Sequence, residues 1–174
     1  LEEQLFAQRS EGVIRVARPA ELLDRLARAW RKPEIRRRFT GRLTGANPQA
    51  MSARLFDSAR AAGVRLVVTG VGSTNRYATA ARSGATPFYC SDLEALTSAM
   101  FLEGILEETS RFAQLELLEA EDPPLYFDTR TDEGISWASP VQTWLELAEG
   151  DKRDRETAAQ VRRCLLDSLE KQLP

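Results

Sequence analysis

The sequence predicts an α+β fold in which helices pack on a mixed β-sheet, preceded by the remnant of a winged helix, its wing hairpin. Three observations support this prediction. The 174 residues are 43% hydrophobic and 29% charged, which is a globular balance. Short apolar runs alternate with segments whose apolar residues recur at helical spacing, and a turn with glycine separates two apolar runs near the start. We divide the chain into a partial winged-helix unit (1–18), a connecting helix with a basic linker (19–46) and a C-terminal α/β domain (47–174).

The first eighteen residues predict a hairpin, because apolar residues 5–7 and 13–16 lie on either side of the polar stretch 8–12. A helix end followed by a basic hairpin is typical of the second half of a winged helix. We therefore expect residues 1–4 to end a recognition helix whose earlier part lies upstream. Three residues would contact the DNA backbone on or beside the wing: Arg9, Arg15 and Arg18. An edge ribbon packed on the main body fits the same pattern.

A helix is predicted to begin at Pro19, and an apolar stripe runs along it: Leu22, Leu23, Leu26, Ala27 and Trp30. The densest basic cluster follows within residues 31–42. Three of its arginines are candidates for contacts with DNA: Arg36, Arg37 and Arg38. Only Trp30 and Phe39 are aromatic nearby, so the cluster lacks the stacking platforms of a single-strand binder, and we favour a solvated linker.

From residue 47 onward, helices and strands are predicted to alternate. The nearly continuous apolar run 64–69 indicates a strand in the interior of the sheet. Ser91 and Glu94 have the spacing of a capping box, which predicts that a helix begins at Ser91. The other elements expected in this part are a helix over 47–63, a short helix from Thr74 or Asn75 to Gly84, and a strand over 88–90.

The C-terminal third predicts extended segments at 114–118 and 125–127, a polar turn at 129–134 and a closing helix over roughly 154–173. Between the turn and this helix, a short apolar strand passes directly into another helix. Ser139 is a good N-cap for that helix, and Pro140 suits its first position. Apolar residues then recur at helical spacing on one face: Val141, Trp144, Leu145 and Ala148.

Composition excludes several kinds of site. There is no histidine, which removes histidine-based triads and Cys2His2 zinc sites. Cys90 and Cys164 are far apart in sequence, and we expect Cys90 to be a buried structural thiol. We predict no catalytic residue, no metal site and no cofactor.

No apolar run approaches the roughly 20 residues that cross a bilayer, and the first residues are acidic and polar. We therefore expect a cytoplasmic protein without a membrane partner.

The formal net charge of −2 conceals an asymmetry along the chain. Residues 1–42 hold 11 Lys and Arg against 6 Asp and Glu, a net charge of +5, and the remaining residues hold 13 against 20, a net charge of −7. A basic N-terminal part on an acidic body indicates that a polyanionic partner would meet the N-terminal end. A solvated, arginine-rich helix face fits the same composition.

One turn is similar to a phosphate cradle, because glycines between a strand and a helix let backbone amides approach an anion. Its residues are Gly70, Gly72, Ser73 and Thr74. The turn is neither Gly-x-Gly-x-x-Gly nor a P-loop with its lysine, so we favour glycines that serve a tight turn. The alternative function is a nucleotide-binding or nucleotidyltransferase-like enzyme that uses this turn with Asp92 and Glu94. The capping box places both carboxylates at a helix start instead.

Three segments carry a resemblance to a known family. They are Gly12-Val13-Ile14-Arg15-Val16 with the helix that follows to Trp30; Leu66-Val67-Val68-Thr69-Gly70 leading to Arg76-Tyr77-Ala78; and Ala138-Ser139-Pro140-Val141-Gln142-Thr143-Trp144-Leu145-Glu146-Leu147. In these segments, which together span most of its length, the chain resembles the AbiEi-like family of transcriptional regulators, the antitoxins of type IV toxin–antitoxin systems.

The resemblance implies a noncatalytic, DNA-binding transcriptional regulator of bacterial type. Its N-terminal winged helix would bind double-stranded operator DNA, and residues 47–174 would form the regulator or antitoxin domain. The family is described as repressing its own operon and countering a nucleotidyltransferase toxin without a stable complex. The implied partners are therefore operator DNA, a functional link to such a toxin, and a second copy of the chain in a homodimer.

Overall fold

A computed structural model describes residues 6–10, 12–45, 48–79 and 84–170. In these ranges the strands are β1 (Ala7–Ser10), β2 (Val13–Val16), β3 (Arg37–Leu43), β4 (Leu66–Val68), β5 (Thr86–Cys90), β6 (Leu106–Glu108), β7 (Leu115–Glu119), β8 (Arg130–Asp132) and β9 (Ile135–Trp137). The helices are α1 (Pro19–Ala29), α2 (Pro48–Ala61), α3 (Gly70–Ser73), α4 (Leu93–Leu102), α5 (Pro140–Ala148) and α6 (Lys152–Glu170).

The main sheet has seven strands in the order β6-β3-β7-β5-β4-β9-β8. The pairs β5–β7 and β4–β9 are parallel, and the other neighbours are antiparallel. The predicted α+β class with a mixed sheet and packed helices is therefore confirmed. Strand β4 lies between β5 and β9, in the interior position that its continuous apolar run predicted.

Apolar clusters cover both faces of this sheet. On one face, α2 and α4 contribute fully buried residues such as Leu55 and Leu96, which pack against Leu117 of β7. Val67, Tyr89 and Leu118 belong to another cluster, because successive side chains along a strand point to opposite faces. Helices α1, α5 and α6 form a third cluster with a different set of core residues: Leu23, Trp144, Leu145, Leu147, Ala158, Val161 and Leu165.

The predicted N-terminal hairpin is present. Strands β1 and β2 pair antiparallel with Gln8 opposite Arg15 and Arg9 opposite Ile14, and Gly12 adopts a φ of 82° in the turn. The buried Phe6 ring lies 5.4 Å from the Arg25 guanidinium of α1, which ties the hairpin to the helix that follows. The assignment of this hairpin as the wing of a winged helix stays a prediction, and residues 1–4, the expected end of a recognition helix, lie outside the described residues.

The prediction of a solvated basic linker was wrong for residues 37–43. This stretch is strand β3, which lies between β6 and β7 inside the main sheet. Phe39 and Gly41 are buried and alternate with exposed arginines such as Arg38. Four arginines within seven residues concealed this half-apolar alternation, whose inward positions are Phe39, Gly41 and the partly buried Leu43.

Three further elements differ from their predictions. The short helix begins at Gly70 rather than at Thr74 or Asn75 and passes into a 3-10 turn at Thr74–Arg76, while residues 80–83 lie outside the described ranges. Pro123–Tyr126 forms a 3-10 turn instead of extended chain, and the Tyr126 hydroxyl donates to the Ala120 carbonyl at 2.6 Å. The predicted polar turn at 129–134 contains strand β8, which pairs with β9.

The two predicted helix caps have different outcomes. Ser139 caps α5 as predicted, because its hydroxyl accepts a hydrogen bond from the Gln142 amide at 3.0 Å. Helix α4 is capped by Asp92, which accepts from the Ala95 amide at 2.9 Å, so the capping box at Ser91 was wrong by one residue. The Ser91 hydroxyl instead accepts a hydrogen bond from the Arg65 amide at 2.9 Å and joins the ends of β5 and β4.

Candidate functional site

The most concentrated polar cluster lies where β4, α3 and α5 meet. The Glu146 carboxylate accepts three short hydrogen bonds: from the Thr69 hydroxyl at 2.6 Å, the Gly70 amide at 2.7 Å and the Gln142 side-chain amide at 2.6 Å. The Tyr89 hydroxyl of β5 also hydrogen bonds to this carboxylate. We call Glu146 and these four donors the Glu146 cluster. It brings together residues from three elements, α3 with the residue before it, β5 and α5.

Local structure explains why the cluster forms here. The cap at Ser139 fixes the start of α5, and Gln142 and Glu146 are then four residues apart, on the same face of the helix. A second hydrogen bond joins the two helices, because the buried hydroxyls of Ser73 in α3 and Thr143 in α5 are 2.8 Å apart. Gly70 has a φ of +48°, a left-handed conformation that favours glycine, at the point where the chain turns from β4 into α3, and its amide donates to Glu146.

Burial controls the electrostatics of the cluster. The pKa of Glu146 is raised above its ordinary value chiefly because burial disfavours the charged form, while the hydrogen bonds from Thr69, Gln142, Tyr89 and Gly70 oppose the rise. Burial, reinforced by the Glu146 carboxylate, also raises the pKa of Tyr89, so this phenol stays a hydrogen-bond donor at neutral pH. The donors therefore oppose the rise in the pKa of Glu146 that burial causes but do not cancel it.

A cavity of about 210 Å³ lies over the Glu146 cluster. Its wall is almost entirely apolar and includes Trp30, Pro33 and Ile35 from the segment that follows α1, with Leu118 from β7. The polar lining comes from the cluster itself and from Lys32, which is exposed. The cavity therefore combines apolar walls with a single concentrated polar feature, an arrangement typical of small-molecule sites.

The Gly70–Thr74 turn uses its polar groups within the protein. The Gly70 amide donates to Glu146, and the hydroxyls of Ser73 and Thr74 donate to the Gly70 carbonyl at 2.9 and 3.3 Å. A side chain at Gly72 would place its Cβ 2.8 Å from Thr86 Cγ2 and from Val68 Cγ1, so this glycine allows close packing of α3 on the sheet. The position that an anionic ligand would take at the Gly70 amide is occupied by a carboxylate of the same chain.

The acidic residues of the nucleotidyltransferase alternative lie far from this turn. Strand β5 runs antiparallel to β4, so its start lies beside Gly70 and its end leads to Asp92 and Glu94. The length of β5 separates the two places by about 13 Å at 3.3 Å per residue. Asp92 caps α4 and Glu94 pairs with Arg37 at 3.0 Å. Among the described residues, no group of three or more Cys, Asp or Glu side chains is placed to hold a metal ion.

Four arginines of the basic cluster are paired with glutamates of the C-terminal domain. Arg37 contacts Glu119 at 2.7 Å and Glu94 at 3.0 Å, and hydrogen bonds to Glu119 and then Glu94 raise the pKa of its guanidinium. Three other pairs cross from β3 and the residue before it to acidic residues: Arg36–Glu121 at 2.7 Å, Arg38–Glu116 at 2.8 Å and Arg42–Glu107 at 2.8 Å. Each guanidinium therefore has an acidic partner within the body of the protein.

This pairing changes the meaning of the charge asymmetry. Four of the arginines that give residues 1–42 their net charge of +5 are Arg36, Arg37, Arg38 and Arg42. Without them, residues 1–35 hold 7 Lys and Arg against 6 Asp and Glu. The positive charge predicted for the N-terminal part is therefore mostly balanced by the acidic body.

The structure places the other predicted DNA contacts in and after the hairpin. Arg9 lies in β1 and Arg15 in β2, near the Gly12 turn. Arg18 is exposed before α1 and pairs with Glu21 at 3.3 Å.

The sequence analysis missed Glu146 and Tyr89 as site residues. The available signal was a glutamate four residues after a glutamine within an otherwise apolar helix, which indicates a polar pair turned toward the interior.

Cys90 is buried, as its position at the end of a strand predicted, and burial raises the pKa of its thiol to about 12. The thiol is therefore protonated at neutral pH and is a poor nucleophile.

None of the helices in the described ranges combines the length and apolarity required to cross a membrane. Comparisons with known proteins find no matching family model, no matching curated protein and no matching solved structure.

Proposed function

We propose that this protein is a noncatalytic regulator that binds double-stranded DNA through its N-terminal hairpin. The observation that carries the proposal is the antiparallel β1–β2 hairpin, which bears Arg9 and Arg15 beside the turn at Gly12. A basic hairpin next to a helix suits contact with phosphates, which position a protein on the duplex. Cation charges at such a surface also accelerate association with DNA.

Helix α1 supports the proposal because it connects the hairpin firmly to the body. Leu23 is buried against α5 and α6, and Asp24 pairs with Arg162 of α6 at 2.8 Å. Arg25 contacts the Phe6 ring at the base of the hairpin. DNA bound to the hairpin would therefore be held at a defined position relative to the C-terminal domain.

The proposed DNA surface excludes Arg36, Arg37 and Arg38. These arginines lie among glutamates of β7 and the residues that follow it, so a phosphate that approached them would meet negative charge as well. Arg9, Arg15 and Arg18 remain in the surface.

Fluorescence anisotropy with a labelled duplex of about 30 base pairs from the protein's own promoter tests the proposal. Each phosphate contact contributes roughly 0.9 to the slope of log affinity against log salt concentration, so Arg9→Ala with Arg15→Ala should lower that slope by roughly 1.8. The matched control is Arg36→Ala with Arg38→Ala, which removes the same charge and should leave the slope unchanged. Equal effects of the two double variants, or no salt-dependent binding by folded protein, would refute the proposal.

The antitoxin role extends the same proposal. Residues 47–174 would form the effector part of an autorepressor that acts in the bacterial cytoplasm, as a homodimer, beside a nucleotidyltransferase toxin. A reporter placed behind the protein's own promoter should be repressed by the chain and released by the Arg9 and Arg15 double variant. Growth of cells that express a neighbouring nucleotidyltransferase, with and without this chain, then tests the antitoxin part separately from DNA binding.

A further inference from the structure

The Glu146 carboxylate lies under an apolar cavity without a positively charged partner. Its hydrogen bonds come from two hydroxyls, a backbone amide and a side-chain amide, all of which are neutral. No ion pair between described residues includes Glu146. Buried charges in proteins are ordinarily paired, so a cation in the cavity would stabilise the ionised form of Glu146, which burial disfavours.

The cavity walls indicate which cation fits. Trp30 and Tyr89 contribute aromatic surfaces, which attract organic cations, and Pro33, Ile35 and Leu118 contribute aliphatic surface. The volume of about 210 Å³ equals roughly seven waters at about 30 Å³ each, which limits the ligand to a short chain or a single small ring. A hydrated metal ion does not suit apolar walls, because it would lose water without gaining oxygen ligands.

We propose that this cavity binds a small organic ammonium ion, with Glu146 as its counter-ion and the Trp30 and Tyr89 rings beside the charged group. The four donors hold the carboxylate in a fixed orientation before the ligand arrives, which lowers the cost of ordering on binding. The alkyl part of the ligand would cover Pro33, Ile35 and Leu118. Lys32 is exposed at the same cavity, so water and salt screen its repulsion of the ligand. The inference does not depend on DNA binding.

Titration calorimetry of the whole chain at pH 8 with pentylammonium chloride tests the inference. The expected dissociation constant is roughly millimolar, as suits a ligand of six heavy atoms. Neutral 1-pentanol and anionic pentanoate have the same chain, and each should bind at least about tenfold more weakly because Glu146 contributes nothing to the first and repels the second. Amide chemical shifts of Gly70 and the indole signal of Trp30 should move with pentylammonium and identify the site.

Glu146→Gln should weaken pentylammonium binding at least about tenfold, since it removes the charge and keeps the size of the side chain. Glu149→Gln is the matched control, because Glu149 is exposed at the end of the same helix outside the cavity, and this variant should bind as the unmodified chain does. An unchanged far-UV spectrum and melting temperature verify folding of each variant. The inference is overturned if pentanol binds as tightly as pentylammonium, if Glu146→Gln leaves the affinity unchanged, or if folded protein binds no amine.

Discussion

Replacing Glu146 tests whether the site is held together as the structure shows. Glu146→Ala removes the acceptor of three hydrogen bonds of 2.6 to 2.7 Å and leaves the donors on Thr69, Gly70 and Gln142 without it. A donor left unsatisfied lowers the free energy of unfolding by about 1–3 kcal/mol. Water from the adjacent cavity can reach these donors, so we take about 1 kcal/mol for each of the three, a total loss of about 3 kcal/mol. For a chain of 174 residues, this loss lowers the melting temperature by roughly 6–12 °C.

Glu146→Gln is the matched comparison. Its side-chain oxygen can still accept from Thr69 and Gly70, and Gln142 can rotate its amide to present oxygen to the new side-chain nitrogen, so the expected loss is about 1 kcal/mol or less. Urea unfolding of both variants gives the free energies of unfolding directly. Equal losses for the alanine and glutamine variants, or a loss below about 1 kcal/mol for Glu146→Ala, would show that these hydrogen bonds do not stabilise the junction.

The pH dependence has a definite sign. Because the folded-state pKa of Glu146 is raised, the folded protein holds this proton more tightly than the unfolded chain does. The contribution of this proton to folding stability is therefore fully present below about 4.3, the ordinary pKa of glutamate. It is lost as pH rises through the pKa that Glu146 has in the folded protein. The stability of the unmodified chain relative to Glu146→Gln should fall as pH rises from about 4 upward. A relative gain over that range in urea unfolding would contradict the direction of the shift.

Three other changes test particular packing and capping contacts. Gly72→Ala should lower the free energy of unfolding by about 1–3 kcal/mol, because the added Cβ would lie 2.8 Å from Thr86 Cγ2 and Val68 Cγ1. Adding Thr86→Ser should recover part of this loss in urea unfolding. Additive losses for the two substitutions would count against this packing role. Ser139→Ala should cost about 1 kcal/mol through loss of the hydrogen bond to the Gln142 amide, whereas Ser139→Asp should retain most of the stability, and calorimetric melting separates these outcomes. Of the two cysteines, Cys164 is exposed and should react with a thiol reagent at pH 8. Cys90 is buried and its thiol has a pKa of about 12, so it should react only after denaturation. Two fast-reacting thiols in the folded protein would contradict the burial of Cys90.

The sequence predicted elements well where one pattern acted alone. The run 64–69 is continuously apolar and became an interior strand, and Ser139-Pro140 supplied both a cap and a first helical residue for α5. Strand β3 was missed because its arginines outnumber its large apolar residues, Phe39 and Leu43. Its pairing with β6 and β7 is a long-range property that local spacing does not contain.

The positive charge expected at Arg36, Arg37 and Arg38 was overestimated for a related reason. Arg36, Arg37 and Arg38 form a basic block in the sequence, but their glutamate partners lie about 60 to 85 residues further along the chain. A charge count along the chain assumes that neighbours in sequence share a surface. In a sheet, the neighbours of β3 are β6 and β7, so the block becomes a set of cross-strand ion pairs with little net charge. Strands β1 and β2 form a separate two-stranded sheet, so this cross-strand pairing in the main sheet concerns β3 alone.

The glycine turn and the cavity are linked by the same carboxylate. A strand followed by glycines and a helix offers an amide to an anion, and in a nucleotide-binding protein that anion is the ligand's phosphate. Here the Gly70 amide is occupied by Glu146, which the chain supplies from α5. The occupied turn therefore presents negative charge to the cavity rather than positive charge, and this reversal favours an organic cation over a nucleotide. Substitution of Glu146 by alanine frees the Gly70 amide, so binding of inorganic phosphate by this variant, and not by the unmodified chain, would show that the carboxylate is a substitute for phosphate.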